Sequence, residues 1–155
     1  MEFTERNKIR HFVEIGGKWA EVGAGFAKFE EKKNPMFTER QYFHEDGERV
    51  RVIGYSPEIE YELDALNEGA ASELIRSITE RELSGKAAEV RVLTVDMTSQ
   101  ASGGAYPAIC RGYSVIADEC GGEDELVYRG KLVCATPAAR GLFVMQSGVF
   151  VEEVD

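Results

Sequence analysis

A seven-residue segment near the middle of the chain alternates strictly between acidic and apolar residues, Glu58-Ile59-Glu60-Tyr61-Glu62-Leu63-Asp64. Successive side chains of a β-strand point to opposite faces, so the alternation predicts a strand with one buried apolar face and one face of four carboxylates. Pro57 stands just before the segment and cannot donate a ladder hydrogen bond, so we expect a break or an edge position there.

The carboxylates Glu58, Glu60, Glu62 and Asp64 have more than one interpretation. Neighbours in this row lie ~7 Å apart along one exposed face, which does not suit a paired acid–base device. They form either the solvated face of an antiparallel strand or a surface selected to repel phosphate. The sequence alone does not choose between these two.

One segment has helical spacing instead. Over residues 67–84, apolar side chains recur at i, i+3, i+4 and i+7, which predicts an amphipathic helix. Asn67 is suited to cap its start, and Ser84-Gly85 to end it. The apolar stripe consists of Ala71, Leu74, Ile75 and Ile78.

The remaining chain has the pattern of short strands divided by turns, in a sequence that contains 16 glycines and only four prolines. Residues 30–47 are polar and predict a long loop, of a kind that is usually functional or paired with something outside the domain. Residues 99–107 predict a second loop, and residues 141–151 a final strand. The predicted fold class is mainly β, an antiparallel β-sandwich or partial barrel with one flanking α-helix.

Composition limits the classes of partner. The 155 residues suit a single domain, 1–155, and carry a formal net charge of −10. This acidity disfavours tight binding to duplex DNA and to anionic membranes. No apolar run approaches the ~18 residues of a spanning helix, and the polar start predicts no signal peptide. Three cysteines without a CxxC motif predict reduced thiols.

Residues typical of catalysis are sparse. His11 and His44 are the only histidines, and neither has the spacing of a metal site. The glycine pairs Gly16-Gly17 and Gly23-Ala24-Gly25 lack the rest of a phosphate-binding motif. We therefore predict no catalytic residue, no metal ligand and no cofactor, and interpret both histidines as structural.

The order of several short motifs resembles the tail tube (major tail) proteins of long-tailed phages and prophages of Gram-positive bacteria. The most specific stretch is Val52-Ile53-Gly54-Tyr55-Ser56-Pro57-Glu58-Ile59-Glu60-Tyr61. The similarity covers most of residues 9–132. The other motifs are Ile15-Gly16-Gly17 with Trp19 and Val22, Lys33-Asn34-Pro35, Arg40-Gln41-Tyr42, Glu82-Leu83-Ser84-Gly85 and Gly112-Tyr113-Ser114-Val115-Ile116.

The resemblance implies a non-enzymatic subunit of the virion tail, assembled in the host cytoplasm, without a membrane partner. Its hexameric rings would stack into a tube that meets tape-measure and tail tip or terminator proteins and lets DNA pass during ejection. It implies a lumen-facing role for Glu58, Glu60, Glu62 and Asp64. It also implies an N-terminal arm over residues 1–8 and an inter-subunit loop over 30–47, which includes Asn34, Pro35, Arg40, Tyr42 and Phe43.

Two alternatives remain at this stage. The same fold could form the tube of a contractile injection or type VI-like secretion system, with protein as the cargo. A small-molecule-binding β-barrel ranks lower, because it requires an enclosed pocket with convergent polar groups.

Overall fold

The computed structural model describes residues 8–23, 25–41, 47–64, 69–98, 104–122 and 126–153. These residues form eleven strands, one α-helix and one 3-10 helix, Gly85–Ala88. The helix is α1, Ala70–Glu80. The strands are β1 Ile9–Ile15, β2 Lys18–Glu21, β3 Phe26–Lys32, β4 Pro35–Gln41, β5 Glu48–Tyr55, β6 Glu58–Asp64, β7 Glu89–Asp96, β8 Ala105–Gly121, β9 Val127–Cys134, β10 Ala139–Val144 and β11 Val149–Glu152.

Nine of these strands form one antiparallel sheet in the order β2-β1-β7-β8-β9-β6-β3. The long strand β8 pairs with β9 through its second half and with β10 through its first half, and β11 follows β10. The sheet curls into a half-barrel with the helix beside it. The predicted fold class, mainly β and antiparallel with one flanking helix, is confirmed.

Two hydrophobic cores lie on opposite faces of β1, β7 and β8. Alternation explains this, because adjacent residues such as Phe12 and Val13 on β1 point into different cores. The first core packs α1 against the half-barrel and includes Val13, Ile59, Tyr61, Leu63, Ile75, Val92, Tyr113, Val115, Tyr128 and Leu132. The second core contains Phe12, Leu93, Val95, Ala108, Cys110 and Phe143, with Trp19 packed against it.

The strand predicted over residues 58–64 is β6, in the sheet between β3 and β9. Ile59, Tyr61 and Leu63 are buried, as the alternation predicts, and the four acidic residues are partly exposed. The apolar stripe of the helix is also confirmed, since Ala71, Ile75 and Ile78 are buried and Leu74 packs against the same core.

The helix is shorter than predicted. It begins after Gly69 and ends before Arg81, so Ser84-Gly85 does not end it; instead Ser84 precedes the 3-10 helix and Gly85 begins it. The predicted cap Asn67 lies outside the described residues, as do Tyr42, Phe43, His44 and the predicted N-terminal arm up to Asn7.

Three predictions of local structure are wrong. Residues 30–47 are not one loop, because the first of them complete β3 and Pro35–Gln41 form β4, which pairs with β5. Residues 105–107 belong to β8 rather than to a loop. Residues 141–151 are not one strand, because a turn at residues 145–148 folds β10 and β11 into a hairpin.

Within the described ranges, no helix is long and apolar enough to cross a membrane.

Candidate assembly interface

Strands β4, Pro35–Gln41, and β5, Glu48–Tyr55, form a separate two-stranded sheet, which we call the hairpin arm. Its large apolar side chains are about half exposed or more, from 49% for Met36 to 62% for Val50 and Ile53. A single hairpin is marginally stable in water, and clustered exposed apolar residues mark interaction sites. The arm therefore has the character of a surface that another protein covers.

The two faces of the arm differ in chemistry. Phe37 lies opposite Val52, and Glu39 lies opposite Val50, so these four side chains share one mostly apolar face. The other face carries Thr38 opposite Arg51 and Arg40 opposite Arg49. Arg40 and Arg49 thus place two like charges directly opposite each other on this face.

The base of the arm is fixed by Asn34 and Ser56. The Ser56 amide donates to the Asn34 carbonyl oxygen and the Asn34 Nδ2 donates to the Ser56 carbonyl oxygen, both over 3.2 Å. Asn34 has a φ of 45°, in the left-handed region that asparagine tolerates better than most residues. Of the residues predicted for the inter-subunit loop, Asn34 and Pro35 thus lie at the base of the arm, and Arg40 lies on its arginine face.

The carboxylates of β6 form the second candidate surface. Glu60 Oε2 lies 2.9 Å from Lys28 Nζ and Glu60 Oε1 lies 2.6 Å from Lys32 Nζ, both on β3. These hydrogen bonds from Lys32 and Lys28 lower the pKa of Glu60 to about 2. On the other side, Glu62 Oε1 lies 3.3 Å from Arg129 Nη2 on β9. Cations on neighbouring strands therefore neutralise part of the acidic row.

The registers give the charge balance of this face. Glu30 adds one carboxylate to the four of β6, which makes five, against four cations on β3 and β9. Glu119 of β8 adds a sixth carboxylate, 3.4 Å from Arg129. The face is therefore mixed in charge rather than uniformly negative, and its ion pairs explain how a row of four carboxylates is tolerated. The cations are Lys28, Lys32, Arg129 and Lys131.

A groove of about 570 Å³ lies over the same face. Its lining includes Lys28, Glu60, Glu62, Arg129 and Lys131. Small-molecule sites are predominantly apolar, so this charged groove does not have the character that the β-barrel alternative requires.

His11 is partly buried within the fold. Its Nδ1 lies 3.1 Å from Thr94 Oγ1, and its ring packs 4.9 Å from that of Phe29. Burial lowers the pKa of His11, while the Glu31 carboxylate opposes that effect. The residues that the structure describes contain no cluster of three or more potential metal ligands. The three cysteines are free thiols.

No family model matches the chain, and no curated protein matches it. Among solved structures, the chain is similar to a chain of the anti-feeding prophage baseplate, determined by cryo-EM and 6-fold symmetrised. The TM-score is 0.51 at 6% identity, and the alignment covers 90% of this chain and 96% of that one. A likeness at this identity shows a common fold across nearly the whole of both chains.

Proposed function

We propose that this chain is a non-catalytic structural subunit of a phage tail or of a related contractile apparatus. The hairpin arm carries this proposal, because its half-exposed Phe37, Val50 and Val52 need a covering partner. The likeness to a baseplate chain supports the setting, since that protein is part of a multi-subunit tail-like assembly.

The finer form of the proposal is a subunit of stacked hexameric rings. The 6-fold symmetrised neighbour supports this symmetry. A surface patch that docks on a different patch of the next copy generates a ring whenever the rotation closes. In the tail tube that the sequence resembles, tape-measure and terminator proteins complete the assembly.

We place Glu58, Glu60, Glu62 and Asp64 on the lumen of such a tube, as the resemblance implies. Their pairing with Lys28, Lys32 and Arg129 limits how strongly the surface repels phosphate. A lumen of mixed charge depends less on repelling DNA than a uniformly acidic one. It therefore favours the second candidate, a tube of a contractile injection system that passes protein.

Replacement of the apolar arm face tests the proposal. Threonine keeps strand propensity, so Phe37→Thr, Val50→Thr and Val52→Thr together should leave a folded monomer that no longer forms rings or tubes. Sedimentation and negative-stain electron microscopy of concentrated protein report assembly, with and without tail initiator proteins. Cryo-EM of the wild-type assemblies then reports whether β6 lines the lumen.

A matched control removes exposed apolar side chains elsewhere. Leu83 and Leu126 are 36% and 42% exposed, so Leu83→Thr with Leu126→Thr should assemble as the wild type does. Equal assembly of the arm variant and the control contradicts a role for the arm. Wild-type protein that forms neither rings nor tubes at any salt concentration contradicts the whole proposal.

A further inference from the structure

The C-terminal hairpin of β10 and β11 exposes a second apolar face. Leu142 lies opposite Val151, and Val144 lies opposite Val149, so four aliphatic side chains share this face. The residues on the other face, Phe143 and Phe150, pack in the second core. Val149 and Val151 are 49% and 56% exposed, although they belong to a strand that the core holds in place.

The two strands of this hairpin approach each other closely at the end away from its turn. A Cβ on Gly141 would collide with the Val151 carbonyl oxygen and the backbone of Glu152, so glycine permits the close approach of the two strands. β11 pairs with β10 alone among the described strands, which leaves the other edge of β11 unpaired. The C-terminal hairpin face, defined as Arg140, Leu142, Val144, Val149 and Val151, is therefore a preformed docking surface.

The hairpin arm is complementary to this surface in length and charge. Each face consists of two successive cross-strand pairs of side chains. All four are apolar on the C-terminal hairpin, whereas Glu39 replaces one apolar residue on the arm. Arg140 extends the C-terminal hairpin face by one position, because alternate residues of β10 share a face. Glu39 and Arg140 are exposed. Glu153 lies opposite Arg140, and its amide donates to the Arg140 carbonyl oxygen, but no ion pair joins Arg140 to a described carboxylate.

We propose that the apolar face of the hairpin arm in one copy packs on the C-terminal hairpin face of a second copy, with Glu39 beside Arg140. The inference rests on the proposed function and names the partner surface of the arm. Phe37, Val50 and Val52 cover Val149 and Val151, and the charge pair sets the register. Because the two patches differ, the contact is head to tail and repeats from copy to copy.

Charge reversal in the full-length chain tests the pairing. Glu39→Arg and Arg140→Glu each place like charges together, so each should weaken self-association by about tenfold or more. The double variant restores opposite charges and should recover most of the wild-type association. Sedimentation equilibrium at a series of protein concentrations measures the association constant, and circular dichroism confirms that each variant is folded.

A double variant no stronger than the single variants overturns the pairing, as do single variants that associate like the wild type. Val149→Thr with Val151→Thr gives an independent reading and should weaken association in parallel with the arm variant. Loss of assembly in the arm variant but not in this one overturns the acceptor surface and leaves the proposed function intact. If neither variant changes assembly, both the acceptor surface and the role of the hairpin arm are wrong, whereas the proposed function stands as long as the wild-type protein assembles.

Discussion

Glu60 illustrates how neighbouring strands decide the properties of a single residue. Its carboxylate lies between Lys28 and Lys32 of β3, and both ammonium groups are within 3 Å. The alternation of residues 58–64 predicts correctly that the Glu60 side chain points away from the core, but it does not predict the ion pairs with lysine. The cations come from positions 28 and 32 residues away, and only the topology of the sheet brings them beside it.

The pKa of Glu60 gives a prediction at this scale. Since its folded pKa, about 2, is lower than the ordinary value of 4.5, the pairing stabilises the folded state above about pH 4.5. This stability is lost as the pH falls through the folded value. We expect Glu60→Gln to lower the free energy of unfolding at pH 7, and the difference from the wild type to shrink as the pH falls from 4.5 towards 2, measured by urea denaturation.

A carboxyl carbon NMR titration measures the Glu60 value directly, and a midpoint near 4.5 contradicts the pairing. Glu58→Gln is the matched control, because Glu58 lies on the same strand and face but forms no ion pair with another described residue. We expect this control to change stability at pH 7 by less than about 0.5 kcal/mol, as is usual for surface substitutions.

At the scale of elements, α1 shows what periodicity predicts well. Its apolar stripe packs on the first core as expected, because burial needs only the 3.6-residue spacing. Its ends depend on local backbone geometry instead. Gly69 precedes the first turn with a φ of 95°, and the Arg81 amide donates to the Ser77 carbonyl oxygen at the last one.

The helix stripe gives a second prediction. Ile75 is fully buried, so Ile75→Ala should lower the free energy of unfolding by about 2–5 kcal/mol through lost burial and the cavity left behind. Leu74→Ala, next to it and only partly buried, should cost less. Thermal or urea denaturation measures both, and equal losses contradict the assigned orientation of the helix.

The two hairpins show where periodicity fails. β4 lies in a mostly polar segment, because neither face of the hairpin arm is buried within the chain, and a burial pattern is the signal that sequence reasoning detects. The division between β10 and β11 was missed for the opposite reason, because apolar residues are too continuous there. Their apolar residues run on both sides of the turn at residues 145–148, and Gly148, with a φ of 67°, is the main local mark of that turn.

For the whole molecule, the decisive feature is the sharing of β8 between the two cores. Tyr113 and Val115 in its second half line the first core, while Ala108 and Cys110 in its first half line the second. The sequence predicts the fold class, since strand patterns and one helix suffice for that. It does not predict two cores, because these depend on pairings between segments that are far apart, such as β1 with β7.

Coupling through β8 predicts a single unfolding transition. Trp19, the only tryptophan, packs against the second core, so its fluorescence reports that core, whereas far-UV circular dichroism reports the whole sheet. Leu132 lies in the first core, and Leu132→Ala should lower stability by about 2–5 kcal/mol. We expect both signals to shift together in urea. If the urea midpoint followed by Trp19 fluorescence is the same in Leu132→Ala as in the wild type, the coupling is contradicted.

The half-exposed arm also bears on how the proposed polymer of this chain would grow. A small hairpin docked on one neighbour buries little apolar area, so a subunit that arrives in the wrong orientation is held weakly and dissociates. In the proposed contact, a subunit in the correct orientation would engage its arm and its acceptor at once, and its residence time would rise steeply because the contacts act together. Weak individual contacts of this kind give assembly a means of correcting errors before they become permanent.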